Sequence, residues 1–215
     1  MYYGWTVSED KTKLHCRETY IDGKAAAAHF INVGPTIGEM LGSGAIKLDD
    51  IGVMGTVEEL ADVKEEADKL GCSYWEVWDS FVNFKHQPSV LVSDDKLCTV
   101  TPTFTILDLA KAEPFMKQCV ESTRSEAGCV FYGFTIDKAS GKLFCREGYV
   151  DGKAVNAHFE AAVPLVGAMI ESGAVTLDHL YVHGPRSEWP YFQEAGAGVG
   201  PKYFDVDGSF SKFTM

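Results

Sequence analysis

The sequence predicts an α+β chain built from two ferredoxin-like units, and three observations carry that expectation. One long segment occurs twice, the punctuation within each copy spells alternating strands and helices, and the composition is that of a packed globular chain. Sliding the 215 residues against themselves aligns 2–84 with 131–213 at a constant offset, without a gap, and with about 34 identities. A repeat of that length is too long for a solenoid, so a duplicated unit is the economical reading. Apolar residues make up 46 % and charged residues 23 %, which excludes a disordered or fibrous chain.

The second copy is read first because it is complete. Residues 100–107 are rich in β-branched side chains and read as a strand. Asp108 opens a helix running to about 127, with Phe115, Cys119 and Val120 at helical spacing, and Pro114 fits it only near the first turn. Strands over 130–137 and 143–150 are joined by Lys138-Ala-Ser-Gly141, a turn in which the glycine takes a positive φ. Asp151 caps a second helix with Ala157, Ala161, Leu165, Met169 and Ile170 on one stripe, ended by Gly173. A strand over 175–183, a short helix or loop, and a last strand over 203–213 complete the copy.

The first copy repeats this from the second strand onward. Its helix after Gly55 opens on Thr56-Val-Glu-Glu59, a capping box. The order per unit is β-α-β-β-α-β plus an extra helix and a fifth strand, the split-βαβ pattern. Residues 86–97 have linker composition, which divides the chain into units 1–86 and 97–215. The first unit lacks the strand and helix with which the second begins, and so exposes a sheet edge and half a helical layer. Either about 33 residues upstream in a longer chain supply the missing pair, or, since water covers apolar surface poorly, a second copy or a partner subunit occupies that place in an oligomer.

Charge and cysteine usage narrow the functional classes. Nineteen Lys+Arg against 31 Asp+Glu give a net −12, which disfavours nucleic acid and anionic membranes as partners. No apolar run is long enough to span a bilayer, and the start shows no signal peptide. The six cysteines (Cys16, Cys72, Cys98, Cys119, Cys129, Cys145) form no C-x-x-C pair and read as reduced, mostly buried thiols. A reducing, cytoplasmic setting follows as the expectation, with an organelle left open. His15, His179 and His183 do not repeat between the copies, and no cluster has metal-ligand spacing, so neither a metal nor another cofactor is expected.

Two stretches carry a resemblance to a known family. Thr123-Arg-Ser-Glu-Ala-Gly-Cys-Val-Phe-Tyr132 resembles the helix-to-strand junction of antibiotic biosynthesis monooxygenase (ABM) domains. Arg146-Glu-Gly-Tyr-Val-Asp-Gly-Lys-Ala-Val-Asn-Ala-His158 resembles the family's third strand running into its second helix, and Arg17-Glu-Thr-Tyr-Ile-Asp to His29 repeats it. Ala127 departs from the family, which favours proline there, as does the missing first strand and helix of the first unit. The resemblance implies a dimeric α+β barrel, here two units fused into a pseudo-dimeric barrel, with a pocket between sheet and helices. It also implies, among the family's activities, cofactor-independent oxygenation of a small phenol- or quinol-type aromatic.

The candidate site residues are those the two copies share. His158, with its counterpart His29, is a candidate general base, or else a helix histidine bonded to the sheet. Glu147 and Tyr149, matched by Glu18 and Tyr20, alternate on one strand face beside Cys145 and Cys16. They would position a substrate, or the glutamates would pair with Arg17 or Arg146 of the other unit and tie the barrel together. Tyr132, Tyr3 and Trp5 would line an apolar pocket for a flat ligand, or serve as core. The alternative to an oxygenase is a non-catalytic small-molecule-binding or assembly protein on the same barrel. A polar-tipped cavity beside His158 distinguishes the two.

Overall fold

The computed structural model describes residues 2–83 and 96–211. Their backbone forms a single curled α+β sheet. In chain order the elements are β1 (Tyr2–Ser8), β2 (Leu14–Thr19), α1 (Gly23–Gly42), β3 (Gly52–Gly55), α2 (Val57–Lys69) and β4 (Ser73–Val82). They continue as β5 (Cys98–Ile106), α3 (Leu109–Thr123), β6 (Cys129–Asp137), β7 (Lys142–Tyr149), α4 (Gly152–Glu171), β8 (Val175–His183), the short α5 (Gln193–Gly196) and β9 (Lys202–Ser211). The strand order is β2-β1-β9-β8-β5-β7-β6-β4-β3, with β3–β4 and β8–β9 parallel and every other pair antiparallel. The early and late halves are laced together, since β1 pairs with β9 and β4 with β6.

The helices begin where the sequence places caps. Asp22, Asp108 and Asp151 accept from the backbone N–H of Ala25, Lys111 and Ala154, and Thr56 and Glu59 form the expected capping box. Gly141 and Gly173 take φ near +70°, a region open to glycine, at the hairpin turn and after α4. Three prolines sit inside helices, Pro114 deeper than expected. Pro114 lies past the first turn of α3, and Pro35 and Pro164 lie mid-way along α1 and α4, where each leaves one carbonyl without its helical donor. Pro102 interrupts β5 itself, and on the β7 side the paired residues jump from Val100↔Glu147 to Thr103↔Phe144.

Several boundaries differ from expectation. α3 stops at Thr123, and the last strand is described only to Ser211. Most of the presumed linker lies outside the described residues. Leu97, at its end, is buried against Tyr2 and Val130.

The two halves of the sheet are unequal in cover. α4 buries Gly152, Val155, His158, Phe159, Ala162 and Met169, whereas α1, of equal length, buries only Gly23, the counterpart of Gly152. Leu143 on β7 is fully buried, and its counterpart Leu14 on β2 is 41 % exposed. β8 has nine residues, but β3 keeps four, and Leu48, which matches Leu177 of β8, is 40 % exposed. A strand between two partners is held along its length, while one that has lost a partner frays into loop.

No described helix is long and apolar enough to cross a membrane. All six cysteines are free, and five are buried, as small apolar groups should be.

One close crossing is between β4 and β6. A Cβ on Gly133 would lie 2.2 Å from Ser80 Cβ and 2.6 Å from its Cα, so no side-chain rotation relieves it. Gly133→Ala should therefore cost roughly 1–3 kcal/mol by prying the strands apart. Urea unfolding measures this, and an unchanged midpoint would contradict the packing described.

Candidate functional site

The shared residues do converge, once in each copy. In the second copy β7 places Cys145, Glu147 and Tyr149 on the face under α4, because alternate residues of a strand share a face. His158, one and a half turns into α4, drops onto them. Its Nε2 lies 3.2 Å from Glu147 Oε2, and its Nδ1 lies 3.0 Å from Glu126 Oε2. Tyr149 donates its hydroxyl hydrogen to Glu147 at 2.9 Å. The Tyr132 and Tyr149 rings sit 5.6 and 5.0 Å from the imidazole.

This network is sealed. The His158 and Glu147 side chains are only 3 % and 4 % exposed. Burial opposes a charge on His158, but Glu147 and Glu126 outweigh it and raise its pKa to about 9. Burial, reinforced by Glu147, keeps Tyr149 protonated far above the usual phenol range, and burial does the same for Tyr132 with help from Cys145. An imidazolium clamped between two carboxylates is a structural ion triad. Two depressions lie elsewhere in the surface, one of about 280 Å³ between α1 and α2 and one of about 200 Å³ beside β8. The His158 side chain itself is enclosed, only 3 % exposed.

The first copy holds the same residues half-buried. His29 Nε2 lies 3.1 Å from Glu18 Oε2, not aligned as a hydrogen bond and otherwise unpartnered. Tyr20 donates to Glu18 Oε2 at 2.6 Å, and Cys16 donates to Oε1 at 3.0 Å. Trp5 Nε1 donates to the Tyr3 oxygen at 2.9 Å, and the Tyr3 ring stands 5.6 Å from His29. Burial, then Cys16, raises the Tyr3 pKa to about 12, and burial with Glu18 raises that of Tyr20. The His29 and Glu18 side chains remain 18 % and 23 % exposed. No described carboxylate reaches His29 Nδ1, because Glu126 follows α3 and its counterpart would precede β1.

The proposed glutamate–arginine ties across the barrel do not form. Glu18 and Glu147 turn toward the helices and the histidines, while Arg17 and Arg146 stand on the opposite face of their strands. Arg17 donates to Thr99 and Tyr2. Sequence reasoning missed Glu126 as a site residue, although it stands inside the junction segment 123–132 that carried the resemblance. Among the described residues no three His, Cys, Asp or Glu side chains converge to hold a metal ion.

Comparison with known proteins supports the fold. No family model matches the chain, and no curated protein matches it. MupZ from Pseudomonas fluorescens is 25 % identical, with a TM-score of 0.50 over 56 % of this chain and 98 % of that one. A Fusobacterium nucleatum protein described as a "Putative monooxygenase" is 13 % identical, with a TM-score of 0.54 over 100 % of this chain and 78 % of that one. SnoaB, described as a cofactor-independent oxygenase from Streptomyces nogalater, is 14 % identical, with a TM-score of 0.37 over 42 % of this chain and 94 % of that one. The chain therefore shares its α+β fold with the Pseudomonas and Fusobacterium proteins.

The buried triad makes stability pH-dependent in a stated direction. An unfolded histidine titrates near 6.5 and His158 near 9, so its contribution is full below pH 6.5 and is lost as pH rises through about 9. Unfolding free energy should fall by on the order of 3 kcal/mol across that window. His158→Gln should flatten the slope. Urea titrations of both proteins at pH 6, 7.5 and 9 measure the difference, and parallel profiles would refute the assignment.

Proposed function

We propose that the chain is a cofactor-independent oxygenase of a small phenol- or quinol-type aromatic, working at the first-copy cluster rather than at the second. The observation that carries this reading is the pairing of one histidine–glutamate–tyrosine set in two states, sealed around His158 and half-open around His29. An open imidazole with one carboxylate behind it can take the proton of a ring hydroxyl, and Glu18 then stabilises the imidazolium. The electron-rich anion so formed is the electron donor to O₂. Tyr3 and Trp5 offer the flat apolar wall on which such a ring rests, and Tyr20 holds Glu18 in place. His158, Glu147, Tyr149, Tyr132 and Glu126 are the scaffold half of the pair.

A second reading is favoured by the enclosure of His158, which is what a non-catalytic binding or assembly protein on this fold would have. Oxygen uptake with a panel of hydroquinones and naphthols separates the readings. Under the oxygenase reading His29→Asn lowers turnover by about 10²–10⁴-fold. His158→Gln should weaken the fold but leave turnover per folded molecule within a few fold. No uptake with any substrate, or equal losses in both variants, would set the oxygenase reading aside.

A further inference from the structure

We propose that the inner face of the curled sheet, the side without helices, binds a small oxyanion, a carboxylate or phosphate group, against the guanidinium of Arg17. The inference rests on that face alone and not on the activity proposed above. Arg17 of β2 donates to the Tyr2 hydroxyl of β1 and to Thr99 Oγ1 of β5. Three strands separate β2 from β5 in the sheet, so the contact with Thr99 spans the hollow of the curl.

The guanidinium is poorly matched for a buried charge. Both of its acceptors are neutral oxygens, and its Nε is buried without a hydrogen-bond partner. Burial lowers its pKa, and the groups that chiefly oppose this are the Tyr2 phenol and the Cys98 and Cys16 thiols. Burial also raises both thiols, so they carry no charge at neutral pH. A buried cation ordinarily faces a carboxylate, and among the described residues none pairs with Arg17. An oxyanion completes such a fork, taking the spare N–H and the charge together.

The neighbours favour an anion. His15 follows the same face of β2, and its ring lies 4.7 Å from that of His183 on β8. Thr6 donates to the His15 carbonyl at 3.2 Å, so it accepts from His183 Nδ1–H at 2.9 Å and leaves Nε2 facing Thr101 at 3.4 Å. His183 is thereby satisfied. His15 makes only ring contacts among the described residues, to His183 and Phe204. Burial, then Arg17, lowers the pKa of both histidines, that of His15 to about 4. An anion beside Arg17 cancels that repulsion and gains the His15 imidazole as a donor. Cover thins along β8 from the buried His183 to the half-buried Tyr181 and His179. His179 and Lys202 line the depression of about 200 Å³ beside that strand, which gives the hollow a cationic mouth.

Packing alone does not call for these residues. By the repeat, the equivalent places carry Phe144 for His15, Met54 for His183 and Asp50 for His179. The ring contact of His15 with Phe204, at 6.2 Å, recurs there as Phe144 with Trp75, at 5.9 Å. Apolar side chains thus serve the same fold in the same positions. Arg146, the counterpart of Arg17, also has Glu59 to favour its charge.

The test reads arginine Nε–H signals by NMR. The chain has four arginines, Arg17, Arg124, Arg146 and Arg186, and single Arg→Lys substitutions assign them. Inorganic phosphate or acetate, titrated against chloride at constant ionic strength, should shift the Arg17 signal and saturate below about 10 mM. Arg186, exposed and paired with Asp205, should follow the chloride baseline. By calorimetry, Arg17→Lys should weaken binding at least about tenfold, because an ammonium keeps the charge but loses the fork. His15→Phe uses the side chain of the equivalent place, so the protein should fold normally and bind about threefold more weakly or worse. Saturation with phosphate alone assigns a phosphate-bearing ligand, and with acetate alone a carboxylate; either supports the site. No saturable shift at Arg17 up to about 100 mM of either anion, an equal shift at Arg186, or unchanged affinity in either variant would overturn it.

Discussion

The structure depends on one constraint, that a strand inside a sheet must have its backbone groups answered on both sides. β5 meets that constraint for the second copy. It holds β8 straight for nine residues, lets α3 close over α4, and leaves Leu143 without solvent contact. In the first copy no counterpart of β5 is among the described residues, and the sheet differs accordingly. Residues 46–51 form no ladder, only Gly52–Gly55 stands as β3 through its pairing with β4, and α1 keeps its length with a face only partly buried. α1 survives because its Asp22 cap and its packing on α2 remain, so the loss is one of cover rather than of secondary structure.

The same constraint sets the chemistry of the two histidines. Their neighbours on the strand are identical in type, glutamate, tyrosine and cysteine at the same spacings. The medium differs. In the sealed copy, withdrawal from water penalises a lone charge severely, so His158 tolerates its proton only because two carboxylates face it. In the first copy Glu18 alone approaches the imidazole, and His29 Nε2 is left without a hydrogen bond. A well-satisfied ion triad has little tendency to react, because any proton it gives up leaves a carboxylate pair unscreened. An under-satisfied imidazole at a partly wet surface has no such restraint.

The fold was legible in the sequence where the signal was local. Asp22, Asp151 and the Thr56–Glu59 box mark helix starts by side-chain chemistry alone, and Gly141 and Gly173 mark reversals that demand a positive φ. The site was legible as a set, because His, Glu and Tyr recur together in both copies. What the sequence hid was non-local. Nothing in the stretch from Arg17 to Tyr20 tells whether Glu18 faces an arginine or a histidine, since that depends on which side of the curled sheet the odd and even residues face. Glu126 was hidden for the same reason, being 32 positions away from the histidine it meets. Pro102 misleads in the opposite direction, as its residue type argues against the central strand it occupies.

The asymmetry also bears on how such a site can work at all. A general base in a cavity needs two properties that oppose each other, shielding strong enough to strengthen its contacts and access enough to admit a substrate. The second copy has the first without the second, and the first copy has the second without the first.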